Sequence, residues 1–176
     1  PVMTEDLMTD AESMQLTLSI YMVGFALAQT FFGPISDRFG RKPTILIGTS
    51  IYLVASVACA LATSVEQLIV FRLFQSIGAA AAPVVARAVV RDMFTREEAA
   101  KTYAVVTTVT AIAPVIAPVL GGVIVVWLGW RANFWFLTGF GSAAMLLVIF
   151  LLPETNRVPD PSATRFSRML LNFGTM

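Results

Sequence analysis

Five long stretches of apolar residues, separated by short polar segments, set the pattern of this chain. An α-helix of roughly 20 mostly apolar residues is long enough to cross a hydrocarbon core about 30 Å thick. The segments between the stretches carry charged residues, glycine or proline, which end helices and form tight turns. The pattern predicts membrane-spanning helices at about residues 14–34, 44–64, 67–92, 98–128 and 132–152.

The composition strengthens the prediction of a membrane protein. Of the 176 residues, 57% are hydrophobic and 13% are charged, whereas about 25% of the residues in a typical soluble domain are charged. A water-soluble fold has no way to bury so much apolar surface. We therefore expect an all-α integral membrane protein whose length accommodates five spans in one membrane domain.

The basic residues alternate between the two sides of the predicted helices. The first and third connecting segments and the tail are rich in them: Arg38, Arg41 and Lys42, then Arg91, Arg96 and Lys101, then Arg157, Arg165 and Arg168. The second segment has none, and the fourth has only Arg131. Because short basic loops stay in the cytoplasm, we expect a periplasmic amino terminus and a cytoplasmic carboxyl terminus.

Several kinds of chemistry are excluded by what the chain lacks. It has no histidine and a single cysteine, Cys59, so disulfides, zinc or haem sites and histidine-based catalysis are ruled out. A net charge of +1 without a basic run gives no footprint for nucleic acid. We expect no metal, no cofactor and no enzyme activity, since paired carboxylates and an activated nucleophile are also missing.

The segment from Gly33 to Pro43, GPISDRFGRKP, is the most informative in the chain. Gly33 and Gly40 are expected to let the backbone turn, and Asp37 either caps a helix or pairs with a cation. The basic residues of the segment are Arg38, Arg41 and Lys42. A turn that only keeps positive charge inside is the alternative interpretation, but such a turn does not need this order of residues.

GPISDRFGRKP resembles the signature loop between helices two and three of the major facilitator superfamily, a glycine followed by Asp-Arg and then Gly-Arg-Lys or Gly-Arg-Arg. LIVFRLFQSIGAAAA resembles the family's fourth-helix motif and APVIAPVLGG its antiporter-type fifth-helix motif, while GWRANFWF and LPET resemble the two ends of its sixth helix. The resemblance implies helices two to six of a twelve-helix bundle. Residues 1–153 would then be an incomplete amino-terminal six-helix domain, and residues 154–176 the start of the central cytoplasmic loop.

Polar residues within the predicted helices are the candidates for a transport cavity. Arg72 and Gln75 share a helix face at i and i+3, and a charge at that depth either faces a polar cavity or snorkels to the interface. Tyr21 and Gln29 either line the cavity or join helices by hydrogen bonds. By resemblance, Arg72 is the embedded arginine tied to substrate or proton binding. Also by resemblance, Asp92 and Arg91 meet the Asp37 and Arg41 loop as a cytoplasmic gate.

Prolines and small residues mark the fourth predicted helix. By resemblance, this antiporter-type motif shapes a bend that seals the outer side during exchange, although Ala-Pro here replaces the usual Gly-Pro. Its residues are Pro114, Ala117, Pro118, Gly121 and Gly122. Small residues at i, i+4 and i+8 also predict smooth packing faces; these are Ala113, Ala117 and Gly121 on one helix and Gly78, Ala82 and Ala86 on another. Packing alone is the alternative role for both sets.

Among subfamilies, the motifs most resemble bacterial inner-membrane drug exporters of the bicyclomycin and chloramphenicol resistance type, which exchange drug for protons. The implied partners are a drug-like small molecule, protons, the lipid bilayer and the rest of the carrier, with the proton gradient as the energy source. No acidic residue lies in the middle of a predicted helix, and the proton-binding carboxylate of this family commonly lies on the first helix. We therefore expect this chain alone to be inactive. A sugar or metabolite carrier and a non-transporting membrane scaffold are the alternatives.

Overall fold

One short and five long helices make up the computed structural model, which describes residues 2–156, 160 and 163–164. They are α1 (Val2–Asp6), α2 (Ala11–Phe39), α3 (Arg41–Ala60), α4 (Val65–Met93), α5 (Arg96–Leu128) and α6 (Arg131–Leu151). Helices α2 to α6 are long and apolar enough to cross a membrane, which confirms the predicted all-α fold with five spans; α1 was not predicted. A short surface helix or linker was expected in the tail around Phe166 and Met169, which lie outside the described residues.

The turn between α2 and α3 is tighter than the sequence predicts. Helix α2 continues through Pro34 as far as Phe39, and Asn156 Nδ2 donates to the Asp37 carbonyl in its last turn at 2.8 Å. Gly33 is therefore helical, and the expectation that it turns the backbone is wrong. The chain reverses at Gly40 alone, whose φ of 102° lies in the region that favours glycine. Asp37 lies in the last turn of α2 and not at a helix start.

Polar side chains fix where three of the spanning helices begin. The Asp10 carboxylate accepts from the Ser13 amide at 2.7 Å before α2, and the Ser64 hydroxyl accepts from the Gln67 amide at 3.3 Å before α4. Thr95 opens α5 with a capping box. Each cap satisfies amide donors that have no partner in the first helical turn, so the hairpins need only short connections.

Helix α4 is the centre of the bundle, and it packs against α2 on one side and α3 on another. Its contact with α3 is close because Gly78 faces Gly48: a Cβ on Gly78 would lie 2.6 Å from the carbonyl oxygen of Gly48. Ala81 is fully buried in the same interface. The predicted face through Ala82 and Ala86 is wrong, since both residues are exposed. The buried face follows i, i+3 and i+7 spacing through Val85, also fully buried.

Helix α5 stands at the edge of the bundle, where Ala99 is its one buried residue. Consecutive spans run in opposite directions, so the bundle has two ends. The Arg41 end contains the last turns of α2, α4 and α6 and the start of α3. The Asp6 end contains α1, the start of α6 and the turn between α3 and α4.

Candidate functional site

A buried arginine organises the Arg41 end. Arg41 is 7% exposed, and its Nη1 donates to Asp37 Oδ1 at 2.5 Å and to Ser36 Oγ at 2.7 Å. Its Nε donates to Asp92 Oδ2 at 2.9 Å. The structure thus brings together Asp37, Arg41 and Asp92, three of the predicted gate residues, and ties α2, α3 and α4 through one guanidinium. Ser36, fully buried, is a fourth member that the sequence analysis did not single out.

Glu154, just after α6, is a further member that the sequence analysis missed. Its carboxylate accepts from the backbone amides of Arg41 at 2.9 Å and Lys42 at 3.0 Å, and so caps α3, which has no side-chain cap of its own. Asn156 adds a side-chain bond to the Asp37 carbonyl at 2.8 Å. The sequence signal for Glu154 was the LPET segment, which the sequence analysis interpreted only as the end of a helix. We call Ser36, Asp37, Arg41, Asp92 and Glu154 the Arg41 latch.

Glycine at position 40 is required by both its conformation and its surroundings. A Cβ there would lie 2.6 Å from Glu154 Oε2, so a side chain would displace the carboxylate that caps α3. Partial burial acts to raise the pKa of Glu154, but the amide donors of Asn156, Arg41 and Lys42 outweigh it and lower that pKa below its usual range.

Replacing Glu154 by Gln should make the protein less stable and its stability less dependent on acid pH. A carboxylate with a lowered folded-state pKa stabilises the fold above its unfolded pKa of about 4.3, and this contribution is lost as the pH falls through the folded value. Because Glu154 is exposed, we expect a loss of roughly 1 kcal/mol at neutral pH. Melting temperatures of the purified wild type and of Glu154→Gln between pH 7 and pH 3 measure both the loss of stability and its dependence on pH.

The control for that experiment is Glu97→Gln, since the ion pair of Glu97 with Lys101 is almost fully solvated. This variant should melt like the wild type at every pH. Equal acid sensitivity of Glu154→Gln and wild type would contradict the capping role.

The side chains of the other predicted gate residues lie around the latch without entering it. Lys42 Nζ donates to the carbonyl of Ile149 at 2.8 Å, at the end of α6. Arg38 is exposed, and it donates to Thr164 Oγ1 at 2.6 Å. Arg91 is exposed and forms no ion pair with any described residue; Gly33 has open space around its Cα.

A second polar group surrounds Arg72, which is half-buried and lies about two turns into α4 from the Asp6 end. Arg72 Nη1 donates to Gln75 Oε1 at 2.9 Å, and Gln75 Nε2 donates to Ser56 Oγ at 2.8 Å. The guanidinium carbon lies 4.3 Å from the ring centroid of Tyr21 and 6.0 Å from that of Phe134. These five residues, the Arg72 cluster, join α2, α3, α4 and α6.

The environment of Arg72 is polar but neutral. Gln75 is 1% exposed and Ser56 is fully buried, whereas Arg72 itself is half-buried. Within residues 2–156, Arg72 has no carboxylate partner. The groups that face the Arg72 guanidinium are the Gln75 amide oxygen and the Tyr21 ring. Gln29 is half-buried and lies about two turns beyond Tyr21 along α2.

The antiporter-type motif lies on exposed surface of α5. Ala117 and Gly121 line an apolar groove of about 750 Å³ between α5 and α6, and Asn133 donates to the Gly121 carbonyl at 3.4 Å. Pro114, Pro118 and Gly122 share the same helix. No group of three or more candidate metal ligands occurs in the described part of the chain.

A bundle of five helices that are long and apolar enough to cross a membrane defines the class of multi-pass membrane proteins. The sequence profile described as Major Facilitator Superfamily matches residues 1–173. The chain belongs to the major facilitator superfamily, which confirms the family resemblance.

Comparison with known proteins gives relatives of bacterial origin. The chain is 39% identical over 172 residues to the chloramphenicol resistance protein of Pseudomonas aeruginosa, covering 97% of this chain and 41% of that protein. It is 38% identical over 161 residues to the multidrug resistance protein MdtL of Klebsiella pneumoniae (strain 342), covering 92% of this chain and 41% of that protein. The chain spans about two fifths of the length of these curated relatives.

A solved structure supports the fold. The crystal structure of the human organic anion transporter MFSD10 (TETRAN) superimposes with a TM-score of 0.73, covering 88% of this chain and 35% of that chain at 22% sequence identity. At this identity the likeness shows the fold alone.

Proposed function

We propose that this chain is part of a proton-coupled carrier that exports drug-like small molecules from a bacterium by alternating access. The observation that carries the proposal is the Arg72 cluster, built around a half-buried arginine on the central helix of a bundle whose relatives are named for chloramphenicol and multidrug resistance. In carriers of this architecture, substrate and coupling ions bind near the middle of the membrane, between the repeats.

The uncompensated charge of Arg72 supports the proton coupling. A carboxylate contributed by another part of the carrier would supply its counter-ion, and protonation of that carboxylate would change the charge of the cavity. We place the Arg41 end in the cytoplasm of an inner-membrane protein, because the basic residues concentrate there. The Asp6 end then faces outward, and the chain alone is expected to be inactive.

Arg72→Ala in the full-length carrier tests the proposal. We expect it to reduce drug resistance in cells to the level of an empty vector, because the cavity then loses its only described cation. Arg72→Lys should keep part of the activity, since lysine retains the charge but not the planar donor fork. Resistance to chloramphenicol is measured at matched expression, together with drug uptake into inverted membrane vesicles under an imposed proton gradient.

The matched control is Arg87→Ala on the same helix, whose exposed side chain makes no contact with the Arg72 cluster. It should behave as wild type. Unchanged resistance in Arg72→Ala would contradict the transport role of Arg72. Absence of resistance in cells that express the wild type would favour the scaffold alternative, and gradient-independent uptake of a sugar by the wild type would favour a metabolite carrier.

A further inference from the structure

The Asp6 end is held by an arginine of its own. Arg131 Nη1 donates to Asp6 Oδ2, and its Nη2 donates to the Ala62 carbonyl at 3.0 Å. Trp130 Nε1 donates to the same carboxylate oxygen at 3.0 Å, and the guanidinium carbon lies 4.2 Å from the centroid of the Trp130 ring. The Asp6 carboxylate, which precedes α2, is thus joined to Trp130 and Arg131 at the start of α6. Arg131 is in turn joined to the end of α3 through the Ala62 carbonyl.

This arrangement repeats the construction of the Arg41 latch at the opposite end. Arg41 is the first residue of α3 and follows Gly40 with φ 102°; Arg131 is the first residue of α6 and closely follows Gly129 with φ 80°. In both turns a glycine in the left-handed region ends one helix, and an arginine that binds carboxylate begins the next.

The acidic partners correspond as well. Asp92 is in the last turn of α4, two residues before Phe94 caps that helix, and Asp6 is the last residue of α1. Asp92 precedes α5, which leads into the Gly129 turn, and Asp6 precedes α2, which leads into the Gly40 turn. Inverted three-helix repeats predict this relation, because the turn at one face of the membrane in one repeat becomes the turn at the other face in the next.

The pair at the Asp6 end lies over the Arg72 cluster. Leu7 is 8% exposed and packs among Cys59, Leu68, Trp130 and Phe134, all of them buried. Phe134 meets the Trp130 ring edge-on with centroids 6.0 Å apart, and it also lies 6.0 Å from the Arg72 guanidinium. An apolar layer therefore separates the water at this end from the buried arginine, and the Asp6 pair holds that layer together.

The two arginines differ in exposure. The Arg41 side chain is 8% exposed, whereas the side chains of Arg131 and Asp6 are 40% and 46% exposed. An exposed ion pair is weak because water solvates both charges after they separate. Contacts at the Asp6 end are therefore suited to breaking and forming again within a transport cycle.

We propose that Asp6, Trp130 and Arg131 form an outer latch, the inverted-repeat counterpart of the Arg41 latch, that closes the Arg72 cluster to water from the outer side. This inference rests on the proposed function, which supplies the orientation and the cycle. The outer latch acts by positioning Leu7 and Phe134 and does not itself touch substrate.

Cys59 provides the test, since it is fully buried in the layer beneath the outer latch. The full-length carrier is used, with any cysteines outside this chain replaced by serine, in intact cells treated with a membrane-impermeant maleimide. Wild type should label slowly. Asp6→Asn and Arg131→Gln should each label roughly fivefold faster, the change expected for the loss of one exposed ion pair.

Three variants give the experiment its controls. Glu5→Gln removes the exposed carboxylate next to Asp6 and should label at the wild-type rate. Asp6→Glu keeps the charge and should also label slowly, and the exchange of charges in Asp6→Arg with Arg131→Asp should restore slow labelling. Equal rates in the wild type, Asp6→Asn and Arg131→Gln, or an exchange variant no slower than the single variants, would overturn the inference.

Drug export measured in the same cells separates the inference from the proposed function. If the wild type exports no drug, the proposed function fails while Cys59 labelling still decides the latch. If the wild type exports drug and labelling never changes, the latch alone fails. If the outer latch positions the apolar layer, Asp6→Asn should lower the maximal rate of drug export several-fold and change the KM for the drug by no more than about twofold.

Discussion

Replacing Gly78 by alanine is expected to separate α3 from α4 and to lower the stability of the bundle by about 3 kcal/mol, the upper end of the range for one added methyl group in a packed interior. The new Cβ would lie 2.6 Å from the Gly48 carbonyl oxygen and would also collide with the backbone nitrogen of Tyr52. Both clashes are with backbone, so no rotation of a side chain relieves them. For a domain of this size the loss corresponds to a melting temperature lower by about 6–12 °C.

The matched control for Gly78→Ala is Gly139→Ala. Gly139 lies inside α6, and an added Cβ there meets no atom within 4 Å. Since alanine forms helices better than glycine by about 1 kcal/mol, this variant should be as stable as wild type or slightly more stable. Melting curves of both variants of the full-length carrier, purified in one detergent, make the comparison. A Gly78→Ala protein that melts with the wild type would contradict the close contact of α3 and α4.

The spans could be predicted from sequence because the membrane imposes one simple requirement, a long apolar helix, and the basic residues mark one side of it. The exact first and last residues of the spans could not be predicted in the same way. Gly33 and Pro34 are typical of turns in water, but the structure keeps them helical, and the last turn of α2 is bonded to Arg41 and Asn156, which lie outside that helix. Local sequence therefore predicts the number of spans better than the limits of any one of them.

The candidate site shows the same division between local and distant information. Arg72 and Gln75 lie three residues apart on one helix, so helical spacing alone predicts that pair, whereas Asp37 and Arg41 lie on two helices with Gly40 between them and were placed together through the family resemblance. Asp92 was found through the family resemblance. Ser56 lies on another helix and Glu154 follows the end of α6, so a short-range pattern around Arg72 or Arg41 holds no information about either residue. The packing face of α4 was also misjudged, because i, i+4 spacing through Ala82 does not show which neighbouring helix is present.

Removing the guanidinium of Arg41 should have the second large effect. In Arg41→Ala, the carboxylates of Asp37 and Asp92 would face each other without a cation, and the buried Ser36 hydroxyl would lose its donor. Breaking a buried charge network by deleting one partner costs about 3–5 kcal/mol. We expect the lower end, since the side chain of Asp37 is 47% exposed. The stability of Arg41→Lys should fall between those of the wild type and Arg41→Ala, because one ammonium group does not reach both carboxylates with the geometry of the planar fork.

A double-mutant cycle separates the charge network from simple loss of packing around Arg41. If the cost arises from unpaired carboxylates, Asp92→Asn added to Arg41→Ala should cost nothing more and should recover part of the stability. The control is Arg38→Ala, which removes an exposed arginine of the same segment and should change the melting temperature by no more than about 2 °C. Additive losses for Arg41→Ala and Asp92→Asn would mean that the two residues stabilise the bundle independently and that the Arg41 latch is not one unit.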